Sequence, residues 1–172
     1  AIYVGYTLIG ILLLWLAGDP LWRAINHAMS AISTGGFTIT DDGLASASTA
    51  VRLAYTPIML VGAISFLIHY RMVVERVGPR SLWQLLEVRV FVYVLVLGGL
   101  LLWGHRWLVG ADTDPVSALV LWVSAITATG VTSVNIATLD NGSLLLMLVG
   151  LAMGGMAGSA AGGIKLLRVG LL

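Results

Sequence analysis

Ser33-Thr34-Gly35-Gly36-Phe37 is the stretch around which the sequence is organised, and Thr127-Ala128-Thr129-Gly130-Val131 repeats its pattern 94 residues later. Asp19-Pro20 begins 17 residues before the second glycine of the first turn, and Asp114-Pro115 begins 16 residues before the glycine of the second turn. Asp is a favoured N-cap and Pro is favoured at the first helical position, so each pair predicts a helix of about 18 Å that stops at the glycine. That length covers about half of a membrane. The pattern predicts two loops that dip into a bilayer and return.

The composition is that of an integral membrane protein. Of the 172 residues, 59% are apolar and 10% are charged, and the mean hydropathy is +0.99, whereas about a quarter of the residues in soluble domains are charged. The sequence has no cysteine, which excludes disulfides, thiolate chemistry and cysteine metal sites. No basic run follows a phosphate backbone, so no nucleic acid partner is expected.

The order of apolar and polar segments predicts an all-α membrane protein. We expect spanning helices over residues 2–17, 51–70 and 90–103 and from Ser143 onward, with short helices over residues 20–32 and 115–126. The second span is interrupted by Pro57 and Gly62. This order divides the chain into two span, pore-helix, loop, span repeats, at residues 1–80 and 81–172. Six of the nine basic residues fall on the side opposite the two loops, which makes that side cytoplasmic.

The two glycine turns carry the functional hypothesis. Backbone at mid-membrane depth survives only inside protein or beside a wet cavity, and glycine allows carbonyl oxygens to crowd one axis. Such carbonyls replace the water shell of a monovalent cation, and the C-terminal end of each short helix adds partial negative charge. The open alternative is that the glycines only pack helices closely. The predicted cation site consists of Ser33, Thr34, Gly35, Gly36, Thr127, Ala128, Thr129 and Gly130.

The last apolar segment contains five glycines in the ten residues 154–163. Each costs about 1 kcal/mol in a helix interior relative to alanine, so we expect the last helix to be broken by a glycine-rich loop. An unwound segment in a pore is a candidate gate, and a close-packing helix face is the alternative. Lys165 either extends to the inner headgroups, which we favour, or faces the cavity below the loop. The predicted gate comprises Gly154, Gly155, Gly158, Ser159, Gly162, Gly163 and Lys165.

Residues 24–38 (AINHAMSAISTGGFT) and 154–165 (GGMAGSAAGGIK) resemble the second pore loop and the broken third-repeat helix of the Trk/Ktr/HKT potassium transporters, most closely the TrkH type. The resemblance implies a potassium-channel-like fold of four repeats, of which this sequence shows two, with one filter glycine from each repeat, here Gly36 and Gly130. It implies potassium uptake across the bacterial cytoplasmic membrane, a homodimer, a cytoplasmic nucleotide-binding regulatory subunit, and the gating role of the loop. We expect K⁺ to be the only bound ion, as the transported substrate, and we expect no cofactor. Val131 stands where the family often has phenylalanine, and Ala160-Ala161 replaces a more usual Thr-Gly or Thr-Ala.

The sequence leaves two other functions open. A structural or assembly subunit would use the same helices without binding a cation. An intramembrane serine protease would use Ser159 with His69 or His105 as the base, but these histidines are expected at span ends on opposite sides of the membrane. His27 is expected to be a packed or capping residue, and His69 to lie in the membrane interface.

Overall fold

The computed structural model describes residues 2–111 and 114–170, and all regular secondary structure within these two ranges is helical. The elements are α1 (Ile2–Leu16), α2 (Leu21–Ile32), α3 (Thr49–Ala63), α4 (Phe66–Val73), α5 (Pro79–Trp83), α6 (Leu86–Leu108), α7 (Pro115–Ile126), a 3₁₀ turn (Ile136–Thr138), α8 (Asn141–Met153) and α9 (Leu166–Val169).

The helices are shorter than the predicted spans, with one exception. Helix α6 has 23 residues, a length of about 34 Å, and is the one described helix that is long and apolar enough to cross a membrane alone. Helices α1 and α8 are apolar but have 15 and 13 residues. Helices α3 and α4 reach a spanning length only together, and they are bent by 101° at their junction. By length and composition the described chain has one span, or two if the bent pair is counted, where the sequence predicts four.

The span predicted over residues 51–70 is interrupted beside Gly62, as the sequence indicates, and the interruption is a complete break in the helix. Helix α3 carries Pro57 and ends at Ala63, and Ile64 and Ser65 are extended, with ψ of 143° and 137°. Gly62 lies against the end of α2, where a Cβ would come 2.5 Å from the carbonyl oxygen of Ile32. The carbonyl groups released at this break find partners elsewhere in the chain, as described below.

The two short helices have the predicted extents, but their N-termini differ. Asp114 caps α7, accepting hydrogen bonds from the backbone N–H groups of Val116 and Ser117, both at 3.2 Å. Asp19 does not cap α2, because Pro20 occupies the N-cap. The Asp19 carboxylate instead contacts Arg23 at 3.2 Å and His27 at 2.9 Å.

Helix α7 lies at the centre of the described structure and packs on α3, α6 and α8. All of its residues from Val120 to Ile126 are buried. Trp122 enters a notch in α6 made by Gly98, where a Cβ would come within 2.6 Å of the indole, and its Nε1 donates to the carbonyl of Val94 at 3.2 Å. Helix α2 packs between α1 and α3. Both short helices are therefore held from several sides, with their C-terminal ends fixed in place.

Candidate functional site

The two glycine turns have the same backbone conformation. Ser33 and Thr127 end their helices with right-handed helical angles (φ −81° and −83°), and Thr34 and Ala128 follow with positive φ of 52° and 54°. Gly36 and Gly130 also have positive φ, of 71° and 82°, a region in which glycine is favoured.

The hydrogen bonds of the turns repeat with the same 94-residue offset. In each turn the first three backbone N–H groups donate to carbonyl groups in the last turn of the preceding helix. The bonds are Ser33 to Met29 (3.2 Å), Thr34 to Ala31 (3.1 Å) and Gly35 to Ser30 (2.8 Å), matched by Thr127 to Val123 (2.9 Å), Ala128 to Ala125 (3.0 Å) and Thr129 to Ser124 (3.0 Å).

The turns meet in the folded chain. A Cβ on Gly36 would overlap the carbonyl oxygen of Thr129 and lie 3.1 Å from its carbonyl carbon. Just beyond the turns, the N–H of Leu44 donates to the carbonyl of Thr132 at 2.8 Å. The structure thus brings together two motifs that are distant in sequence, and glycine at position 36 is required by this approach as well as by its φ.

The carbonyl groups of the turns remain available. Across residues 2–111 and 114–170, no hydrogen bond is donated to the carbonyl oxygens of Ser33 to Gly36 or of Thr127 to Gly130. The amides of each turn are directed back to the helix, so its carbonyls are left without protein partners. The C-terminal ends of α2 and α7 add partial negative charge at the same place. This arrangement suits a cation.

The side chains of the second turn reinforce it from behind. The Thr127 hydroxyl donates to the carbonyl of Val123 at 2.7 Å and lies 2.7 Å from the Thr129 hydroxyl, and both threonines are buried. Val131 is also buried and belongs to the main apolar cluster. In the first turn, by contrast, Phe37 is 80% exposed within the described chain.

The glycine-rich segment forms a loop closed at its base. Helix α8 ends at Met153, and regular helix resumes at Leu166. The N–H groups of Ile164 and Lys165 donate to the carbonyls of Ala152 and Met153 at 2.9 and 3.0 Å. A Cβ on Gly163 would come 2.6 Å from the Cα of Gly154. The chain therefore leaves α8, makes a loop of about ten residues, and returns to its starting point.

This loop is attached to the break between α3 and α4. Met156 and Ala160 donate backbone hydrogen bonds to the carbonyls of Ala63 (3.0 Å) and Gly62 (3.2 Å), and Phe66 donates to the carbonyl of Gly158 (2.9 Å). Buried backbone N–H and carbonyl groups need hydrogen-bond partners. The glycine-rich loop and the α3–α4 break supply these partners to each other. Sequence reasoning missed this pairing; Gly62 and Pro57 were the available signals.

The loop also lies beside the second glycine turn. A Cβ on Gly162 would be 3.6 Å from the Cβ of Ala128. The Lys165 ammonium donates to the carbonyl of Ala161 inside the loop; its extension to the inner headgroups stays a prediction. Ser159 donates its hydroxyl to the carbonyl of Met156 at 2.6 Å.

The histidines have structural partners. His27 is buried, as expected, with its Nδ1 2.9 Å from Asp19 and its ring edge-on to Tyr55. His69 is buried among protein groups, with Nε2 2.9 Å from the carbonyl of Val61 and Nδ1 3.2 Å from the Tyr6 hydroxyl; its place in the membrane interface stays a prediction. In the described ranges no hydrogen bond joins a histidine to Ser159, so the geometry provides no serine nucleophile with its base.

Two acidic residues line a groove formed by the segments that follow the two turns. The groove has a volume of about 430 Å³ and is lined by Asp41, Asp42, Thr132 and Asn135, among others.

The Ser117 hydroxyl, with the capping amides and Arg52, lowers the pKa of Asp114. The Ser143 hydroxyl and then His105, which lies 2.7 Å away, lower the pKa of Asp140 well below its usual range. The carboxylates of Asp114 and Asp140 are therefore ionised at neutral pH.

Comparison with known proteins identifies relatives along the whole chain. A family model described as TrkH, a cation transport protein, matches residues 1–105. The Trk system potassium uptake protein TrkH of Salmonella typhimurium is 32% identical over 176 residues, covering 99% of this chain and 36% of that protein. An uncharacterized cation transporter of Methanocaldococcus jannaschii is 31% identical over 169 residues, covering 97% of this chain and 33% of that protein.

A solved structure agrees with the fold. The crystal structure of the potassium transporter TrkH from Vibrio parahaemolyticus matches with a TM-score of 0.91 at 30% identity, covering 98% of this chain and 37% of that chain. The chain thus spans about a third of the length of the relatives it matches.

Proposed function

The chain belongs to the TrkH family of cation transport proteins, and from this premise we propose that it forms part of a potassium-conducting pore in the bacterial cytoplasmic membrane. The relatives named above are transport proteins and not enzymes, and no covalent chemistry is proposed. Because the chain spans about a third of their length, uptake is an activity of the whole protein, to which this chain contributes two of the filter turns.

The observation that carries the proposal is the pair of glycine turns. Their backbones match, they touch at Gly36 and Thr129, and their carbonyl oxygens accept no hydrogen bond from the described chain. We propose that the carbonyls of Ser33, Thr34, Gly35 and Gly36, and of Thr127, Ala128, Thr129 and Gly130, replace the hydration shell of K⁺. The acidic groove outside the turns would concentrate cations over about 8–10 Å at physiological salt.

The matched hydrogen bonds also support a repeat architecture. We propose that residues 1–80 and 81–172 are two of the repeats that surround the pore, with α2 and α7 as pore helices. The three hydrogen-bond pairs are those of a Schellman helix C-cap, which is common by itself. The support for a repeat is that this cap recurs 94 residues later together with a positive-φ glycine at the matching position, Gly36 and Gly130.

We propose that the loop over residues 154–165, with Gly154, Gly155, Gly158, Ser159, Gly162, Gly163 and Lys165, is the gate. Its position beside Ala128 and its tether of three backbone hydrogen bonds to the α3–α4 break support this role. The Lys165 ammonium, held on the Ala161 carbonyl, would place a positive charge in the path of a cation. Gate opening would require this tether to be released.

The whole protein is proposed to act as a homodimer with a cytoplasmic nucleotide-binding regulatory subunit, as the family resemblance implies. No cofactor is proposed, and K⁺ is the transported ion. The residues described are compatible both with channel-like conduction and with coupling to another ion.

The test is rubidium uptake and growth at low potassium in cells that lack their own uptake systems, with the protein expressed from its complete gene. Gly36→Ser should reduce discrimination against Na⁺ by about tenfold or more, because a displacement of about 1 Å in a preorganised site costs up to about 100-fold. Gly110→Ser is the matched control: Gly110 has the same φ of 71°, but a Cβ there would meet nothing within 4 Å.

Wild-type rescue with loss of selectivity in Gly36→Ser alone supports the filter. Rescue with unchanged selectivity in both variants would remove Gly36 from the ion path. Wild-type protein that reaches the membrane and neither rescues growth nor takes up rubidium would favour the structural-subunit alternative.

A further inference from the structure

Arg52, near the start of α3, makes more side-chain contacts to distant segments than the sequence suggests. Its Nε donates to the carbonyl of Leu44 at 3.0 Å, and its Nη2 donates to the carbonyl of Ala45. Its Nη1 donates to the Ser117 hydroxyl at 3.1 Å and lies 3.7 Å from the Asp114 carboxylate. The guanidinium thus joins the segment that follows the first turn to the N-terminus of α7.

Further hydrogen bonds extend this junction to the segment after the second turn. The Ser133 hydroxyl donates to the carbonyl of Ser117 at 3.0 Å. Leu44, whose carbonyl accepts from Arg52, donates its backbone N–H to the carbonyl of Thr132 at 2.8 Å. Thr132 lies two residues beyond Gly130. The segment after the first turn is therefore bonded to Arg52 directly, through Leu44 and Ala45. The segment after the second turn is bonded to Leu44 and Ser117, which both contact Arg52.

The two turns and the segments that follow them approach each other through close backbone contacts. Gly36 contacts the Thr129 carbonyl without space for a Cβ, and Gly43 contacts the Thr132 carbonyl at a distance where a Cβ would come within 2.6 Å. Because Gly36 and Gly43 have no side chain, no rotamer change on their side can absorb a shift at these contacts. A shift of the first return segment relative to α7 would therefore be transmitted to the carbonyls of both turns.

We propose that Arg52 is a positioning residue for ion selectivity, which sets the separation of the two glycine turns by bracing the first return segment against the N-terminus of α7. The proposal rests on the proposed function of the turns. Arg52 touches no ion; it acts through Leu44, Ala45 and Ser117.

The geometry of the guanidinium carries the role, and its charge is secondary. Arginine offers five N–H donors in a planar fork, whereas lysine offers one compact ammonium on a flexible stem. The ion pair with Asp114 is long at 3.7 Å, and the Asp114 side chain is 38% exposed, so it should contribute little by itself. The contacts that differ between arginine and lysine are the carbonyls of Leu44 and Ala45 and the hydroxyl of Ser117.

The test compares Arg52→Lys and Arg52→Gln with the control Arg89→Lys, an exposed basic residue of α6, all in the protein expressed from its complete gene. Rubidium uptake is measured in competition with Na⁺, with KM and maximal rate determined separately. We expect Arg52→Lys to lower the rubidium-to-sodium preference by about tenfold at normal membrane levels, because misplacement of about 1 Å in such sites has effects of this size or greater. Wild-type preference in Arg52→Lys would overturn the proposal.

A second measurement does not depend on transport. Spin labels on Phe37→Cys and Asn135→Cys, both exposed positions in a 172-residue sequence without cysteine, report the distance between the two return segments by pulsed electron resonance. The labelled protein is diluted with unlabelled copies, and any cysteine elsewhere in the complete protein is replaced by serine. We expect one narrow distance with Arg52 and a shifted or broader distribution with lysine or glutamine. An unchanged distribution in both variants would refute the brace even if the protein transports no rubidium, whereas failure of wild-type uptake alone would refute the proposed function.

If Arg52→Gln fails to reach the membrane, Ser117→Ala replaces it, since that variant removes one acceptor of Arg52 and leaves the guanidinium in place. A smaller loss of preference, in the same direction as Arg52→Lys, supports the brace. Wild-type preference and an unchanged label distance in Ser117→Ala would contradict it.

Discussion

Gly155→Ala should release the glycine-rich loop from the α3–α4 break. Gly155 has no positive φ, so alanine introduces no backbone strain there, but its Cβ would come 2.7 Å from the Cβ of Ala161 and 3.0 Å from the carbonyl oxygen of Ala63. Ordinary carbon–carbon contacts lie at about 3.5–4.0 Å, so the loop must move by about 1 Å. The Ala63 carbonyl accepts the Met156 amide at 3.0 Å, and a displacement of that size takes this bond beyond hydrogen-bond range.

The size of the effect follows from the tether. Three backbone hydrogen bonds join the loop to the break, each with a net contribution of about 1 kcal/mol. Losing between one and all three favours the displaced loop by about 1–3 kcal/mol, or about 5- to 150-fold in the equilibrium between the docked and the displaced loop. If the docked loop is the closed gate, basal rubidium flux should rise by a comparable factor.

The assay is rubidium flux into proteoliposomes that contain the complete protein without its regulatory subunit. Gly5→Ala is the control, because Gly5 lies in α1 outside the loop, also lacks a positive φ, and a Cβ there would meet nothing within 4 Å. Gly155→Ala should leak and Gly5→Ala should not. Equal flux in both variants, with reduced thermal stability of Gly155→Ala, would show that the glycines serve packing and would refute the gating argument.

Two further predictions concern stability. Gly98→Ala should lower the free energy of unfolding by about 1–3 kcal/mol through overpacking, since the new Cβ overlaps the Trp122 indole; the melting temperature of purified protein in detergent measures this. Both Asp114 and Asp140 have lowered pKa values, so their stabilisation is complete above the unfolded carboxyl pKa of about 3.9 and is lost as the pH falls below it. Melting temperature should therefore fall steeply below about pH 4, and less steeply in Asp140→Asn, which should already be less stable at neutral pH.

Each of these has a control within the chain. Gly104→Ala lies in the same helix as Gly98, and its Cβ would meet nothing within 4 Å, so we expect it to be neutral or stabilising by up to about 1 kcal/mol. A fall in melting temperature equal to that of Gly98→Ala would contradict the overlap argument. For the acid prediction, an Asp140→Asn variant whose stability depends on pH as in the wild type would show that Ser143 and His105 do not hold the ionised carboxylate.

The sequence predicts the features that depend on neighbouring residues. The short helices at residues 20–32 and 115–126 are predicted by the Asp-Pro pairs, the limited length of the apolar stretches and the glycine turns. The observed helices, Leu21–Ile32 and Pro115–Ile126, have nearly the same bounds. The glycines after Met153 predict the end of α8. Capping, helix propensity and positive φ are properties of a few neighbouring residues, which is why such predictions succeed.

Local rules failed where a distant segment competes for the same group. Asp19 should cap α2 by the rule that holds for Asp114, but His27 and Arg23 take its carboxylate. The interruption of the span over residues 51–70 was predicted at Pro57 and Gly62, but its partner was not. The amides of Ala160 and Met156 in the glycine-rich loop donate to the carbonyls of Gly62 and Ala63. The partners of His69 were not predicted either: its ring nitrogens lie near the carbonyl of Val61 and the Tyr6 hydroxyl.

The sequence alone determined that this is a helical membrane protein with two glycine turns at the ends of short helices and a glycine-rich break near its end. Only the tertiary structure decided that the turns meet at Gly36 and Thr129, that the break is tethered to α3 and α4, and that Arg52 joins both return segments. The physical reason is that backbone conformation is set by neighbouring residues. The pairing of buried amides, carbonyls and a guanidinium depends instead on which segments the packed helices bring within about 3 Å of one another.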